Sequence, residues 1–114
     1  MTERLLKSLY DIKGAIDEID SYFSSREKRF DVYKAEILLR RGIERNLEVI
    51  GEAMGRILKE NESIKITDAR RIIGLRNQLI HGYDTISDEN IWAVVINHLP
   101  LLKSEIAHLI DGNV

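Results

Sequence analysis

With 114 residues the chain is long enough for one hydrophobic core and too short for two domains of ordinary size, so residues 1–114 read as a single domain. Hydrophobic residues at 44% and charged residues at 32% argue against a disordered chain, and a formal charge of −2 leaves nucleic-acid binding to a local basic patch. No cysteine is present, which rules out disulfides and thiolate metal sites and fits a reducing, cytoplasmic setting.

The start "MTERLLKSLYD" carries acidic residues where a secretory signal needs an apolar stretch, and the longest apolar run, Ile91 to Ile96, is far too short for a membrane. Leu5, Leu9, Ile12, Ile16, Ile19 and Phe23 step by fours and threes and predict a first helix from about Thr2 to Ser24. Ser24 and Glu27 have capping-box spacing and are expected to open the next helix, with Arg29 and Phe30 at the edge of the connection. Leu39, Ile43, Leu47, Ile50, Met54 and Ile57, with no proline among them, predict one long central helix from Phe30 to about Glu60. Its Gly51 and Gly55 each cost about 1 kcal/mol against alanine, so one is expected to admit a neighbouring helix at close range, unless both are simply tolerated.

Asn61 and Ser63 mark a turn, and Thr67 and Asp68 suit the start of a third helix that stops near Gly82. Ser87, Asp88 and Glu89 open a fourth, whose seam is Trp92, Val95, Leu99, Leu102, Ile106 and Leu109 and whose Pro100 should kink it. The expected fold is an all-α antiparallel bundle of four to five helices, without repeats or strand patterns.

The third helix is unusual. At about 100° per residue, Ile72, Ile73, Leu75, Leu79 and Ile80 form a broad apolar arc with Arg76 in its middle. Asn77 and His81, four apart, share a stripe on the polar side. A guanidinium on an apolar arc needs a carboxylate, a carbonyl or an anion, because burying it unpaired is costly. Ordinary readings compete with a functional one: Arg76 paired with Glu44 or Glu48, His81 capping the helix C-terminus, and Tyr83 as a half-buried aromatic.

Three blocks, "NLEVIGEA" at 46–53, "RRIIGLRNQLIHGY" at 70–83, and "IW" at 91–92 followed by "HLPLLK" at 98–103, occur in an order that resembles the HepT group of HEPN-domain proteins. These are small helical toxins encoded beside a minimal nucleotidyltransferase antitoxin. The resemblance implies a HEPN-like bundle that forms a two-fold homodimer and cleaves RNA without a metal or cofactor. It assigns catalysis to Arg76 and His81, a supporting role to Asn77, and AMP transfer from the antitoxin to Tyr83. Thr67, Asp68 and Ala69 stand where typical members carry a Pro-Trp pair, so substrate fit does not carry over with the motif.

The implied chemistry suits these residue types. Attack by a 2′-hydroxyl on the neighbouring phosphate needs a group that exchanges protons near neutral pH and a fixed cation for the growing phosphate charge, which histidine and arginine supply. Asn77, one turn before His81, is placed to fix its tautomer. Arg76 and His81 lie about 140° apart around one helix, so a second copy is expected to bring two of each into one cleft. Arg40, Arg41, Arg45, Arg70 and Arg71 are candidates for further RNA phosphate contacts. His81, His98 and His108 have no ligand spacing for a metal. The alternative is a non-catalytic helical adaptor or nucleotide-binding subunit of the nucleotidyltransferase.

Overall fold

The apolar seams become the buried faces of six helices in a computed structural model that describes residues 1–82 and 86–112. They are α1 (Glu3–Ser21), α2 (Phe30–Ala35), α3 (Ile37–Glu60), α4 (Ala69–His81), α5 (Asp88–Asn97) and α6 (Leu99–Asp111). No strand occurs among the described residues, and no helix among them is long and apolar enough to cross a membrane.

The first helix starts where its cap residue dictates. Thr2 Oγ1 accepts a hydrogen bond from the Leu5 amide at 3.0 Å, satisfying one of the donors a helix start leaves unpaired. Leu5, Leu9, Ile12, Ile16 and Ile19 are buried against α3, whose own seam of Leu39, Ile43, Leu47, Ile50, Met54 and Ile57 is buried throughout. Each such side chain contributes about 1.5–3 kcal/mol when fully withdrawn from water. Polar pairs show that the two helices run antiparallel: Arg4 meets Glu60, Arg56 meets Ser8 and Asp11, and Asn46 meets Glu18 and Tyr22.

The long central helix expected from Phe30 is interrupted. Glu36 is extended at φ −115° and ψ 104°, separating α2 from α3. The cause is nonlocal: both carboxylate oxygens of Glu36 accept from Arg26, Nε at 2.7 Å and Nη2 at 2.9 Å, a bidentate clamp that favours the break over one more helical turn. The expected capping box at Ser24 and Glu27 does not form. Ser24 Oγ donates back to the Ser21 carbonyl and Glu27 pairs with Arg29, so the next helix begins only at Phe30. Tyr33 of α2 is wholly buried and stacks on Trp92 of α5, with ring centroids 5.3 Å apart. Its phenol is held far above its ordinary pKa, first by burial and then by Asp88 and Glu44.

Pro100 divides the last helix, as its missing amide requires. It occupies the first turn of α6, where an amide hydrogen has no intrahelical partner anyway, and the joint falls at His98. That joint is tied to the start of α4. His98 Nδ1 lies 2.9 Å from Asp68 Oδ2, and its Nε2 lies 3.2 Å from Arg71 Nη1. A guanidinium only donates, so Nε2 is the acceptor and Nδ1 the donor to Asp68. Asp68 therefore sits at the N-cap position of α4 without capping it, and Thr67 is likewise diverted, its hydroxyl and amide both donating to Glu105.

Candidate active site

The expected third helix is α4, and it ends where glycine predicts: the Gly82 amide donates to the Gln78 carbonyl at 2.8 Å. Ile72 and Leu75 are buried while Ile73, Leu79 and Ile80 are half-buried, so the apolar arc packs on α3 with Arg76 on it. Gly51 is the glycine that makes this packing possible. A Cβ built there would lie 2.2 Å from Arg76 Cβ, 2.8 Å from its Cγ and 3.1 Å from the Ile72 carbonyl oxygen. A Cβ on Gly55 would meet no other element of the described residues within 4 Å, so of the two glycines Gly51 is the one that admits α4.

Arg76 does not find the carboxylate that ordinary packing would supply. Glu44 pairs with Arg41 at 3.1 Å and Glu48 with Arg45 at 3.6 Å, and no carboxylate among the described residues pairs with Arg76. Its Nη1 donates to Asn77 Oδ1 at 3.3 Å, and its Nε is buried with no acceptor. A buried donor left unsatisfied costs about 1–3 kcal/mol, which a packed arginine normally avoids.

The guanidinium lines a cleft of about 320 Å³ between α3 and α4, shared with Gly51, Glu52, Gly55, Arg56, Lys59, Ile73 and Asn77. Among the described residues three cations face one carboxylate there, so this lining favours an anion. A larger hollow of about 650 Å³ beside α6 includes His108 and Glu105, but Glu105 is already engaged by Thr67 and no arginine enters it. The chemistry favours the smaller cleft.

His81 is exposed at the last position of α4 and makes no hydrogen bond among the described residues. The expected bond from Asn77 to His81 is absent, because Asn77 serves Arg76 instead. One chain thus brings together Arg76 and Asn77 and leaves His81 apart. Tyr83 lies outside the described residues. The five arginines named as phosphate contacts are spread along the two helices. Arg40 donates to the Lys34 carbonyl, Arg41 and Arg45 hold Glu44 and Glu48, Arg71 faces His98 and lies 4.0 Å from Asp68, and Arg70 is exposed.

None of those five lines the Arg76 cleft, whereas Arg56 and Lys59, which the sequence reading passed over, do. A helical wheel of α3 centred on Gly51 carries the signal, since Gly55, Lys59, Glu52 and Arg56 then fall within about 140° on one side of it. Choosing Gly51 as the centre requires knowing that it faces Arg76.

Relatives place the chain. A family model described as Ribonuclease HepT-like matches residues 12–109. The chain is 34% identical over 104 residues to "Putative RNase MJ0127" of Methanocaldococcus jannaschii, covering 90% of this chain and 84% of that protein. It is 28% identical over 112 residues to "Putative RNase MJ0125" of the same organism, covering 96% and 95%. It is 29% identical over 83 residues to "Putative RNase TTE0752" of Caldanaerobacter subterraneus subsp. tengcongensis, covering 72% and 74%. No solved structure matches the chain at a significant level. With a helical bundle, an anion-ready arginine cleft and a family match over most of its length, the chain belongs to the HepT-like ribonuclease family.

Proposed function

We propose that the chain is the toxin of a toxin–antitoxin pair, a metal-independent endoribonuclease acting at a site made of Arg76 and His81 from two copies. The observation that carries this reading is Arg76 itself: a guanidinium without a carboxylate partner among the described residues, its Nε buried and unsatisfied, on the wall of a cationic cleft. Such a group is prepared for a phosphate that arrives from outside.

In the proposed reaction a 2′-oxygen attacks the adjacent phosphorus and the bond to the 5′-oxygen breaks, leaving a 2′,3′-cyclic phosphate. A neutral histidine takes the 2′ proton, a protonated one returns a proton to the departing 5′-oxygen, and Arg76 stabilises the charge that builds on the nonbridging oxygens. One chain offers His81 once, and apart from Arg76, so a homodimer supplies the second histidine. The exposed face of α4 supports that assembly. Arg70, Gly74, Asn77, Gln78 and His81 are all exposed on it, and a Cβ at Gly74 would meet nothing within 4 Å, leaving room for another helix.

Control falls to a minimal nucleotidyltransferase partner. In this proposal the Tyr83 oxygen attacks the α-phosphorus of a nucleoside triphosphate, losing its proton and releasing pyrophosphate. The tethered AMP then occupies the place of the RNA phosphate.

A second reading, a non-catalytic adaptor that binds a nucleotide, draws on the same site, because Asn77 orients Arg76 rather than His81. Expression of the chain alone in a bacterial host separates the two. Growth arrest that disappears with His81→Ala supports the ribonuclease, and absence of arrest in both favours the adaptor. Co-expression with the nucleotidyltransferase should add one or more AMP masses that vanish in Tyr83→Phe. A silenced but unmodified complex would contradict the modification.

A further inference from the structure

Gly55 faces the same cleft as Arg76, one turn along α3 from Gly51, yet a Cβ built on it would meet no other element of the described residues within 4 Å. Glycine inside a helix weakens it, because the chain gives up backbone freedom and gains no side-chain contact. Gly51 admits the close approach of Arg76, whereas no described residue packs against Gly55. What lies over Gly55 is open space bounded by Arg76 and Asn77 from α4 and by Arg56 and Lys59 from α3.

The charges around that space point to an anion in addition to the one at Arg76. Lys59 has no carboxylate partner among the described residues, and Arg56 is shared between Asp11 at 3.1 Å and Glu52 at 3.6 Å. Glu52 opposes an anion, but its side chain is 58% exposed and its pairing with Arg56 is of the surface kind that a phosphate can replace. Among the described residues no aromatic lines the cleft and Ile73 is the one large apolar side chain on it, so they provide no stacking platform for a base. Bare helix backbone flanked by cations instead suits the sugar and phosphate of a strand.

We propose that the cleft over Gly55 is a second nucleotide subsite, in which the ribose beside the scissile phosphate lies against the Gly55 backbone and the next phosphate is held by Arg56 and Lys59. The proposal rests on the ribonuclease reading and adds to it where the strand runs: from Arg76 across α3 toward its C-terminal end. It also explains a glycine that folding alone does not require. Gly55 acts by leaving room, and Arg56 and Lys59 act by binding.

The test compares Gly55→Ala, Gly55→Leu and Lys59→Ala with the parent, using a fluorescent single-stranded RNA oligonucleotide. Binding is measured by anisotropy in a His81→Ala background and cleavage by KM and kcat with His81 intact. Gly55→Ala should melt at or above the parent temperature, since alanine favours the helix over glycine by about 1 kcal/mol and its Cβ meets no other described element, and Gly55→Leu should not melt below the parent. Gly55→Leu should weaken binding by at least about tenfold and raise KM, with Gly55→Ala intermediate, because the filled volume excludes the ribose. Lys59→Ala should reduce the dependence of log K on log salt by about 0.7, one phosphate contact on a single strand.

A gain in stability joined to a loss in binding cannot come from damaged packing. Parent-like binding by Gly55→Leu, or an unchanged salt slope in Lys59→Ala, overturns the subsite while leaving the ribonuclease reading intact. A Gly55→Leu protein whose sedimentation shows a changed oligomeric state also overturns it, because the space then belongs to a second copy. A parent that neither binds nor cleaves RNA removes the ribonuclease reading and the subsite together.

Discussion

The two faces of α3 treat a polar side chain in opposite ways. Against α1, Asn46 is 6% exposed and its amide nitrogen is closed off by the Gly42 carbonyl at 3.0 Å, the Tyr22 hydroxyl at 2.9 Å and Glu18 at 3.3 Å. Tyr22 in turn donates to Glu18 at 2.8 Å, and its ring lies 3.1 Å from where a Cβ on Gly42 would be. Against α4, Arg76 is admitted by a still tighter glycine contact, yet it keeps a buried donor without an acceptor and faces a cleft. The first seam spends its polar groups on its own fold, and the second holds one in reserve. The buried Tyr33 hydroxyl of α2 also lacks a partner, so what sets Arg76 apart is an unsatisfied donor that is cationic and lies on a cleft.

Replacing Asn46 with alanine should break the closed seam. It removes the buried amide that donates to the Gly42 carbonyl and the Tyr22 hydroxyl and is expected to cost about 0.5–1.5 kcal/mol, the net contribution of an ordinary hydrogen bond, read from urea or thermal denaturation. A change below about 0.5 kcal/mol would show that the network contributes no more than an ordinary surface position.

A smaller effect separates the two faces by pH. Hydrogen bonds from Tyr22 and then Asn46 hold Glu18 below its ordinary value of 4.5, and Arg26 does the same for Glu36. A carboxyl depressed in the folded state contributes stability above its unfolded value, and that contribution is lost as pH falls through the folded value. The melting temperature should therefore hold from neutrality down to about pH 4.5 and decline below it. Asn46→Ala should shrink that decline and Arg76→Met should leave it unchanged, since no carboxylate among the described residues pairs with Arg76. An acid response altered equally by both variants would mean that the two faces are not distinct.

These contrasts also mark what the sequence made legible. The seams of α1, α3 and α6 appear as steps of three and four because burial of one helical face is a local pattern. Pro100 announces a bend for an equally local reason, the missing amide. The break at Glu36 was hidden because its cause, Arg26, lies in a preceding connection and acts only once the chain has folded back. Thr67 and Asp68 looked like cap residues and were instead drawn to Glu105 and His98, partners far along the chain.

At the site, the position of Arg76 on an apolar arc was legible from the wheel. Its neighbours were not. Arg56 and Lys59 join it through the register of α3 against α4, which depends on Gly51. Asn77 turned to the guanidinium beside it rather than to the imidazole one turn on, a choice between two local partners that spacing alone does not decide.

Cleavage of single-stranded RNA by the purified chain and by Arg76→Met, with thermal denaturation of both, tests the central claim most directly. Methionine keeps much of the stem that lies against Gly51 and removes the guanidinium with its unsatisfied Nε. The account predicts that cleavage falls by about 10²–10³-fold, the scale for losing a charge-stabilising donor, while the melting temperature stays level or rises. Cleavage that persists in Arg76→Met at the parent rate, or a variant that loses activity only because it unfolds, would contradict it.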